Sequence, residues 1–158
     1  MIKIGLLSDT HIPTRARELP DKLFDTFRDV NYIIHAGDYV NLSVIKDLQK
    51  IAPVIGCHGN MDPSSIIQRL PKIATLIVEE KIIKIIHNLK NRSYIKKIQK
   101  MGPVDIIIHG HTHKSSVQKG DLLVINPGSA TNSLYMPNSI GILYLTPDQH
   151  DYNLIELK

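Results

Sequence analysis

The chain has no tryptophan, one cysteine, two phenylalanines and six tyrosines. A single cysteine excludes an internal disulfide and fits a reducing compartment. Cys57 ends the apolar run PVIGC, so it reads as a small buried residue rather than a nucleophile. With so few aromatics, the core must be built of Ile, Leu and Val. The basic residues of 81–100 (Lys81, Lys84, Lys90, Arg92, Lys96, Lys97 and Lys100) lack the run of interleaved aromatics that a stacking platform needs. They read as the solvated face of one helix and its flanks, not as a nucleic-acid patch. No apolar run is long enough to span a bilayer. The opening MIKIGLLSDTHIP is too short in apolar residues for a signal peptide, because Asp9 and His11 follow at once. The expectation is a cytoplasmic protein with no membrane partner.

What remains is an ordinary globular composition: 158 residues, 42% hydrophobic, 22% charged, net charge +4. That length suits one domain over 1–158. Short apolar runs at 2–7, 32–36 and 53–57 predict buried strands. Between them, Pro20 and Asp21 open a helix over about 20–29 with Leu23, Phe24 and Phe27 inward, and Asn41 or Ser43 caps a second helix reaching Lys50. Further strands are expected at 72–79 and 81–87, joined tightly at Glu80, with a basic helix over 92–101 and a strand at 104–109. A hairpin follows at 115–119 and 122–126 around Gly120-Asp121, and strands at 140–146 and 151–157 turn at Pro147-Asp148. The first half reads as βαβαβ with a parallel sheet and the second half as mostly antiparallel. Together they predict an α/β fold of two sheets packed face to face, with helices outside.

Polar residues collect just past the C-terminal ends of these strands: SDTH (Asp9, His11), AGD (Asp38), GNMD (Asn60, Asp62), His87, GHTH (His111, His113) and NPGS (Asn126 to Ser129). Active sites of open α/β sheets form at those ends. A lone His or Asp there is usually a satisfied polar residue or a cap. Five such groups drawn from separate strands argue for a site. Asp, His and Asn ligate divalent metals without thiolate help. Along an extended segment Asp9-x-His11 and His111-x-His113 each put two side chains on one side. Two such pairs plus a bridging carboxylate suit two ions about 3.5–4 Å apart. The glycines before Asp38, Asn60 and His111 are expected to permit positive φ and close approach. His35 and His109, inside apolar runs, read as core residues or supports for ligands, with His109 pointing away from its two neighbours. His150 reads as solvated, and Met61 as a packing residue beside the site.

In order and spacing, D-x-H, G-D, G-N-x-D, the isolated His87 and G-H-T-H resemble the calcineurin-like metallophosphoesterase superfamily, in particular its small single-domain microbial phosphodiesterases. The likeness runs from residue 2 to at least residue 131, including INPGSAT. It implies a four-layer αββα sandwich, two mixed sheets with helices outside, holding two divalent metal ions. Mn comes first among the family's usual metals, with Ni, Co, Fe, Mg and Zn beside it. By position, Asp9, His11, Asp38 and His113 would hold the first metal, Asp38 would bridge, and Asn60, His87 and His111 would complete the second. The implied reaction is attack of a metal-bridging hydroxide on the phosphorus of a small phosphoester. Asn60 and Asp38 take part, Asp62 orients a neighbour, and His58 either contacts phosphate or stands in for a missing general acid. That acid is missing because Met61 stands where larger relatives carry His. A second departure is HNLK at 87–90, where relatives read H-G-H. The rival reading is a non-catalytic scaffold that binds a partner protein, because the chain also resembles a retromer subunit of the same fold in THIPTRARELP. A homo-oligomer is left open.

Overall fold

A computed structural model of the chain describes residues 1–134 and 136–157. The first sheet has the order β10-β9-β1-β2-β3 and the second β4-β5-β6-β8-β7. In the first, β1 (Ile2–Leu7), β2 (Tyr32–His35) and β3 (Val54–Gly56) run parallel, and β9 (Asn138–Leu145) and β10 (His150–Leu157) add antiparallel at the β1 edge. In the second, β4 (Ile73–Val78) and β5 (Lys81–Ile86) form a hairpin, β6 (Ile106–His109) lies parallel to both β5 and β8 (Leu123–Asn126), and β7 (Ser116–Gln118) closes the edge antiparallel to β8.

Strand alternation builds the layers. Ile4, Leu6, Ile34, Ile83, Ile85, Ile106, Ile108, Leu143 and Leu145 meet between the sheets. Their sequence neighbours point the other way. Leu7, Ile33, Ile140 and Ile142 cover the outer face of the first sheet together with α1 (Asp21–Thr26), α2 (Leu42–Gln49) and α3 (Ser64–Ile67). Ile86, Ile107 and Val124 pack under Ile98 of α4 (Arg92–Lys100). The result is the four-layer αββα sandwich with an aliphatic core. Among the described residues no helix is long and apolar enough to cross a membrane.

Three expectations need correction. Phe24 is 38% exposed, because only Leu23 and Phe27 of that helix reach the sheet. The second half is mostly antiparallel, as expected, with two parallel pairings, β5–β6 and β6–β8, inside it. The strand–helix–strand run through α4 is a crossover, and it makes β5 and β6 parallel. The last hairpin leaves its sequence neighbours and extends the first sheet. A short helix, α3, lies where none was predicted. Details that hold include Asn41 as the α2 cap, accepting from the Ser43 N–H at 2.8 Å, and a tight β4–β5 turn with both Glu79 and Glu80 at positive φ. His150 is exposed.

Cys57 is fully buried between the sheets, and burial raises its thiol well above the ordinary range. The native protein is therefore expected to resist a thiol-specific disulfide reagent, and unfolding in guanidinium should release the one thiol. Rapid labelling without denaturant would contradict this placement.

Candidate metal centre

The site is assembled by the loops that leave β1, β2, β3, β5 and β6 at their C-terminal ends. The first two loops are tied by backbone bonds that prolong the β1–β2 pairing: Asp9 N–H to Gly37 C=O at 3.0 Å and His11 N–H to Asp38 C=O at 3.1 Å. Asp9, His11, Asp38, His111 and His113 all have positive φ, between 44° and 72°. The convergence of each D-x-H or H-x-H pair is thus not that of an extended strand. β1 ends at Leu7 and β6 at His109, and the pairs lie beyond them in left-handed backbone. Asp and His tolerate this region better than most residues, at a cost of order 1–3 kcal/mol each that the surroundings must hold.

Of the three glycines, positive φ applies only to Gly37, at 99°. At Gly110 the reason is space: a Cβ there would strike the Ser8 hydroxyl and approach Asp9 Oδ2 to 2.7 Å.

The candidate ligands form one web. Asp9 Oδ1 lies 3.4 Å from His113 Nε2, 3.8 Å from His11 Nε2 and 3.8 Å from His87 Nε2. Asp38 Oδ2 lies 3.1 Å from His87 Nε2 and 3.6 Å from His11 Nε2. Asn60 Oδ1 joins at the exposed edge, 2.9 Å from His87 Nε2 and 3.1 Å from His111 Nδ1. Among the described residues two groups are tight enough to hold an ion, Asp9–His11–His113 and Asp9–Asp38–His87.

Several features suit these donors to a divalent cation. Asp9 Oδ1 and both ring nitrogens of His11 are buried without a hydrogen-bond partner, an arrangement that is costly unless something else satisfies them. His87 Nδ1 lies 2.7 Å from Ala36 C=O and His113 Nδ1 lies 2.8 Å from Asn132 C=O. A carbonyl only accepts, so each Nδ1 donates its proton there, and each Nε2 faces the carboxylates, able to ligate a cation once it has lost its own proton. Metal-ligating histidines are oriented in the same way. Oxygen and imidazole donors of this kind suit borderline and hard divalent ions.

The electrostatics agree. Burial opposes the charged form of Asp9, but the His11 and His113 rings, the His87 charge and the Ser8 hydroxyl together hold its carboxyl far below the usual range. Asp38 is also lowered: burial again opposes, and His87 overcomes it. His87 is raised, burial being outweighed by Asp38 and Asp9, and His113 is raised chiefly by Asp9.

Asp62 has a larger structural part than orienting one neighbour. Its carboxylate accepts from the N–H groups of Asp38 (3.0 Å), Val40 (2.8 Å) and Gly59 (2.7 Å). Asp38 and Val40 both have positive φ, so Asp62 secures the β2 and β3 loops in their turned form. Met61 is not packed away. It is 52% exposed, and its backbone N–H donates to Asp38 Oδ1 at 2.8 Å. His58 lines a groove that begins at Asn60 and His87. In HNLK, His87 keeps its place and Leu89 turns into the α4 cluster. His109 lines a pocket on the outer side of the second sheet, and burial lowers it to about 4. His35 is buried and stacks on Tyr39, with burial lowering it to about 3.

The work of INPGSAT was not foreseen from sequence, although its polar run after an apolar strand marked the place. Ser129 Oγ donates to Asp9 C=O at 2.8 Å and Thr131 Oγ1 to Thr10 C=O at 2.7 Å. Asn126 Nδ2 donates to Gly110 C=O at 3.2 Å and Thr112 Oγ1 at 3.0 Å. These buried groups clamp the two histidine-bearing loops against each other.

Comparison with known proteins agrees with this architecture. Residues 2–148 match the family model described as calcineurin-like phosphoesterase superfamily domain. A probable metallophosphoesterase of Methanothermobacter thermautotrophicus is 34% identical over 157 residues, covering 96% of this chain and 91% of the relative. A phosphodiesterase of Methanocaldococcus jannaschii is 36% identical, covering 90% and 92%. Among solved structures, Vacuolar Protein Sorting 29 of Cryptosporidium parvum superposes with a TM-score of 0.79 at 21% identity, covering 99% and 97%; at that identity the likeness concerns the fold alone. With the carboxylates and imidazoles drawn together at the strand ends and the family model spanning almost the whole length, the chain belongs to the calcineurin-like phosphoesterase superfamily.

Proposed function

We propose that this chain is a two-metal phosphodiesterase, its centre held by Asp9, His11, Asp38, Asn60, His87, His111 and His113 within one domain over 1–158. The observation that carries the reading is the orientation of His87 and His113, whose Nδ1–H groups are spent on backbone carbonyls while His87 Nε2 faces Asp9 and Asp38 and His113 Nε2 faces Asp9. Divalent ions bound here, Mn²⁺ foremost, would supply Lewis-acid charge and lower the pKa of a water. Asp38, near both His11 and His87, would serve both ions beside Asp9, which is common to both groups. Asn60, at the exposed edge, offers its amide oxygen inward and leaves its NH₂ for a phosphoryl oxygen. Met61 has no proton to give, so His58, in the groove beside Asn60, is the group placed to assist the leaving oxygen. A diester is favoured over a monoester because a second groove begins at His111 and His113 and carries Arg15 and Lys114, which gives each ester arm a place. The rival reading, a scaffold of this fold, could fill the same donors with a metal, so turnover is what separates the two.

The test is hydrolysis of bis(p-nitrophenyl) phosphate by metal-stripped protein, silent until Mn²⁺ is restored. No turnover with any divalent ion by folded protein would favour the scaffold. Metal binding should also depend on pH. Proton and metal compete for Nε2, and the carboxylates keep His87 and His113 protonated to higher pH than ordinary histidines. Affinity is therefore expected to fall as pH drops, from a higher pH than usual, with protons released on binding. Calorimetric titrations in buffers of different ionisation enthalpy, above and below neutrality, measure both effects. A pH-independent affinity without proton release would exclude these histidines as ligands.

A further inference from the structure

The groove that starts at Asn60 and His87 continues outward between α3 and the start of α4. It has a volume of about 320 Å³ and is walled by Ile67, Lys72, Lys90 and Tyr94, with His58 and Asn88 along its length. That size is at the lower end for small-molecule sites. Its walls differ from those of the second groove, which offers the cations Arg15 and Lys114 and the 77% exposed Leu134. Here an aromatic ring and an aliphatic side chain share the space with amide, imidazole and ammonium groups.

Tyr94 is the one aromatic of the basic stretch, and its place explains why it stands there. Asn91 caps α4 by accepting from the Tyr94 N–H at 3.1 Å, which sets the tyrosine in the first turn of the helix at the groove. The ring packs in part against the α4 cluster. Tyr94 lines the groove, and the Lys90 ammonium lies over its ring on a flexible stem, 5.5 Å from the centroid. Ile67, 46% exposed, offers an apolar wall to the groove. Lys72 is exposed at the rim. A lipid chain would leave these polar groups unpaired. A bare sugar would make little use of Ile67. A planar heteroaromatic ring fits all of them: it stacks on Tyr94, lies along Ile67, and presents polar edges to Asn88 and Lys72. Such stacking is worth about 1–3 kcal/mol per base and tolerates any base, because every base has a π-face.

We propose that this groove is a subsite for a nucleoside arm of the phosphoester, with Tyr94 as the stacking residue and Lys72 as a polar contact at its rim. The substrate class is then a nucleotide diester, its phosphorus at the Asp9–Asp38 centre and one base beside Tyr94. The proposal rests on the phosphodiesterase reading and deepens it.

The experiment has a binding arm and a turnover arm, each with the wild type, Tyr94→Leu and Lys72→Ala. Tyr94→Leu keeps apolar bulk against the α4 cluster and removes the ring. In the binding arm, thymidine 5′-monophosphate and inorganic phosphate are titrated separately into ¹⁵N-labelled protein. The nucleotide should shift the amides of Ile67, Lys72 and Tyr94, phosphate alone should not, and Tyr94→Leu should weaken the nucleotide roughly tenfold, the effect of losing one base–aromatic stack. In the turnover arm, Mn²⁺-loaded protein is given a dithymidine monophosphate diester or glycerophosphocholine, followed by ³¹P NMR. The wild type should prefer the nucleoside diester, and Tyr94→Leu should lose that preference mainly through KM. Equal shifts with phosphate and nucleotide, or Tyr94→Leu and Lys72→Ala both behaving as wild type, would overturn the subsite while leaving a phosphodiesterase. Absence of any diester turnover would overturn the parent reading instead, and the binding arm would still decide whether the groove takes a nucleoside.

Discussion

Asp38→Asn is expected to lower Mn²⁺-supported hydrolysis of bis(p-nitrophenyl) phosphate by about 10²–10³-fold or more, the loss that follows removal of one strong electrostatic contact. The substitution is isosteric. The new amide oxygen can still accept from the Met61 N–H, now 2.8 Å from Asp38 Oδ1. What disappears is the negative charge between His87 at 3.1 Å and His11 at 3.6 Å. A carboxylate in that position serves two cations, and an amide offers them a weak dipole. The fold should persist, so circular dichroism and melting temperature act as controls while metal content and turnover fall together. Unchanged turnover would remove Asp38 from the reaction centre. Full metal content with turnover lost would instead assign it to the chemistry rather than to holding ions.

The second large effect is on stability. Asp62→Ala leaves three loop N–H groups, those of Asp38, Val40 and Gly59, without their acceptor. A buried donor left unpaired costs about 1–3 kcal/mol, so a total of about 3–5 kcal/mol is expected once some of the groups find water. For a chain of this length, that corresponds to a fall of roughly 6–20 °C in Tm at about 2–4 °C per kcal/mol. Two of the released residues, Asp38 and Val40, have positive φ. A β-branched residue such as Val40 is especially ill suited to that region. Without Asp62 these loops are expected to relax, and metal affinity to drop by about 10–100-fold, as when a ligand's supporting partner is removed. Asp62→Asn should fall between the two: it keeps one acceptor oxygen but faces an N–H with its own NH₂. Thermal melting and metal titration of both variants test this. A Tm within a degree or two of wild type for Asp62→Ala would show that the loops hold themselves.

These two residues illustrate how differently the sequence speaks. Asp38 was legible because GD follows an apolar run and recurs with D-x-H, GN and GHTH in a fixed order. Asp62 was legible only as a position in GNMD, since two of its three partners are backbone groups of another loop 22–24 residues away. The serine, threonine and asparagine clamp of 126–131 was visible as a polar patch, but its partners lie at residues 9, 10, 110 and 112. The reason is the same in each case. A side chain's type is local information, whereas its hydrogen-bond partner is chosen by the packing of distant segments. Tyr94 shows the limit clearly: in the sequence it is one aromatic among lysines, and only the placement of α4 beside the β3 loop turns it toward the centre.

The sequence alone determined the aliphatic core, most strand positions, the place of the α2 cap, the three hairpin turns in the second half and the set of candidate ligands. All follow from periodicity two, turn chemistry and residue type within short windows. Tertiary structure decided what those windows cannot contain. Sheet membership is one case: β9 and β10 pair with β1 at the opposite end of the chain, because a strand's edge is completed by whichever partner the packed layers bring to it. Parallel pairing is another: β5 with β6 through the α4 crossover, and β6 with β8 because β7, lying between them in the chain, is placed beyond β8 at the edge. The last is the backbone at the centre. Asp9, His11, Asp38, His111 and His113 are turned into left-handed conformations that no local preference would select, and they are held there by hydrogen bonds from loops far apart in sequence.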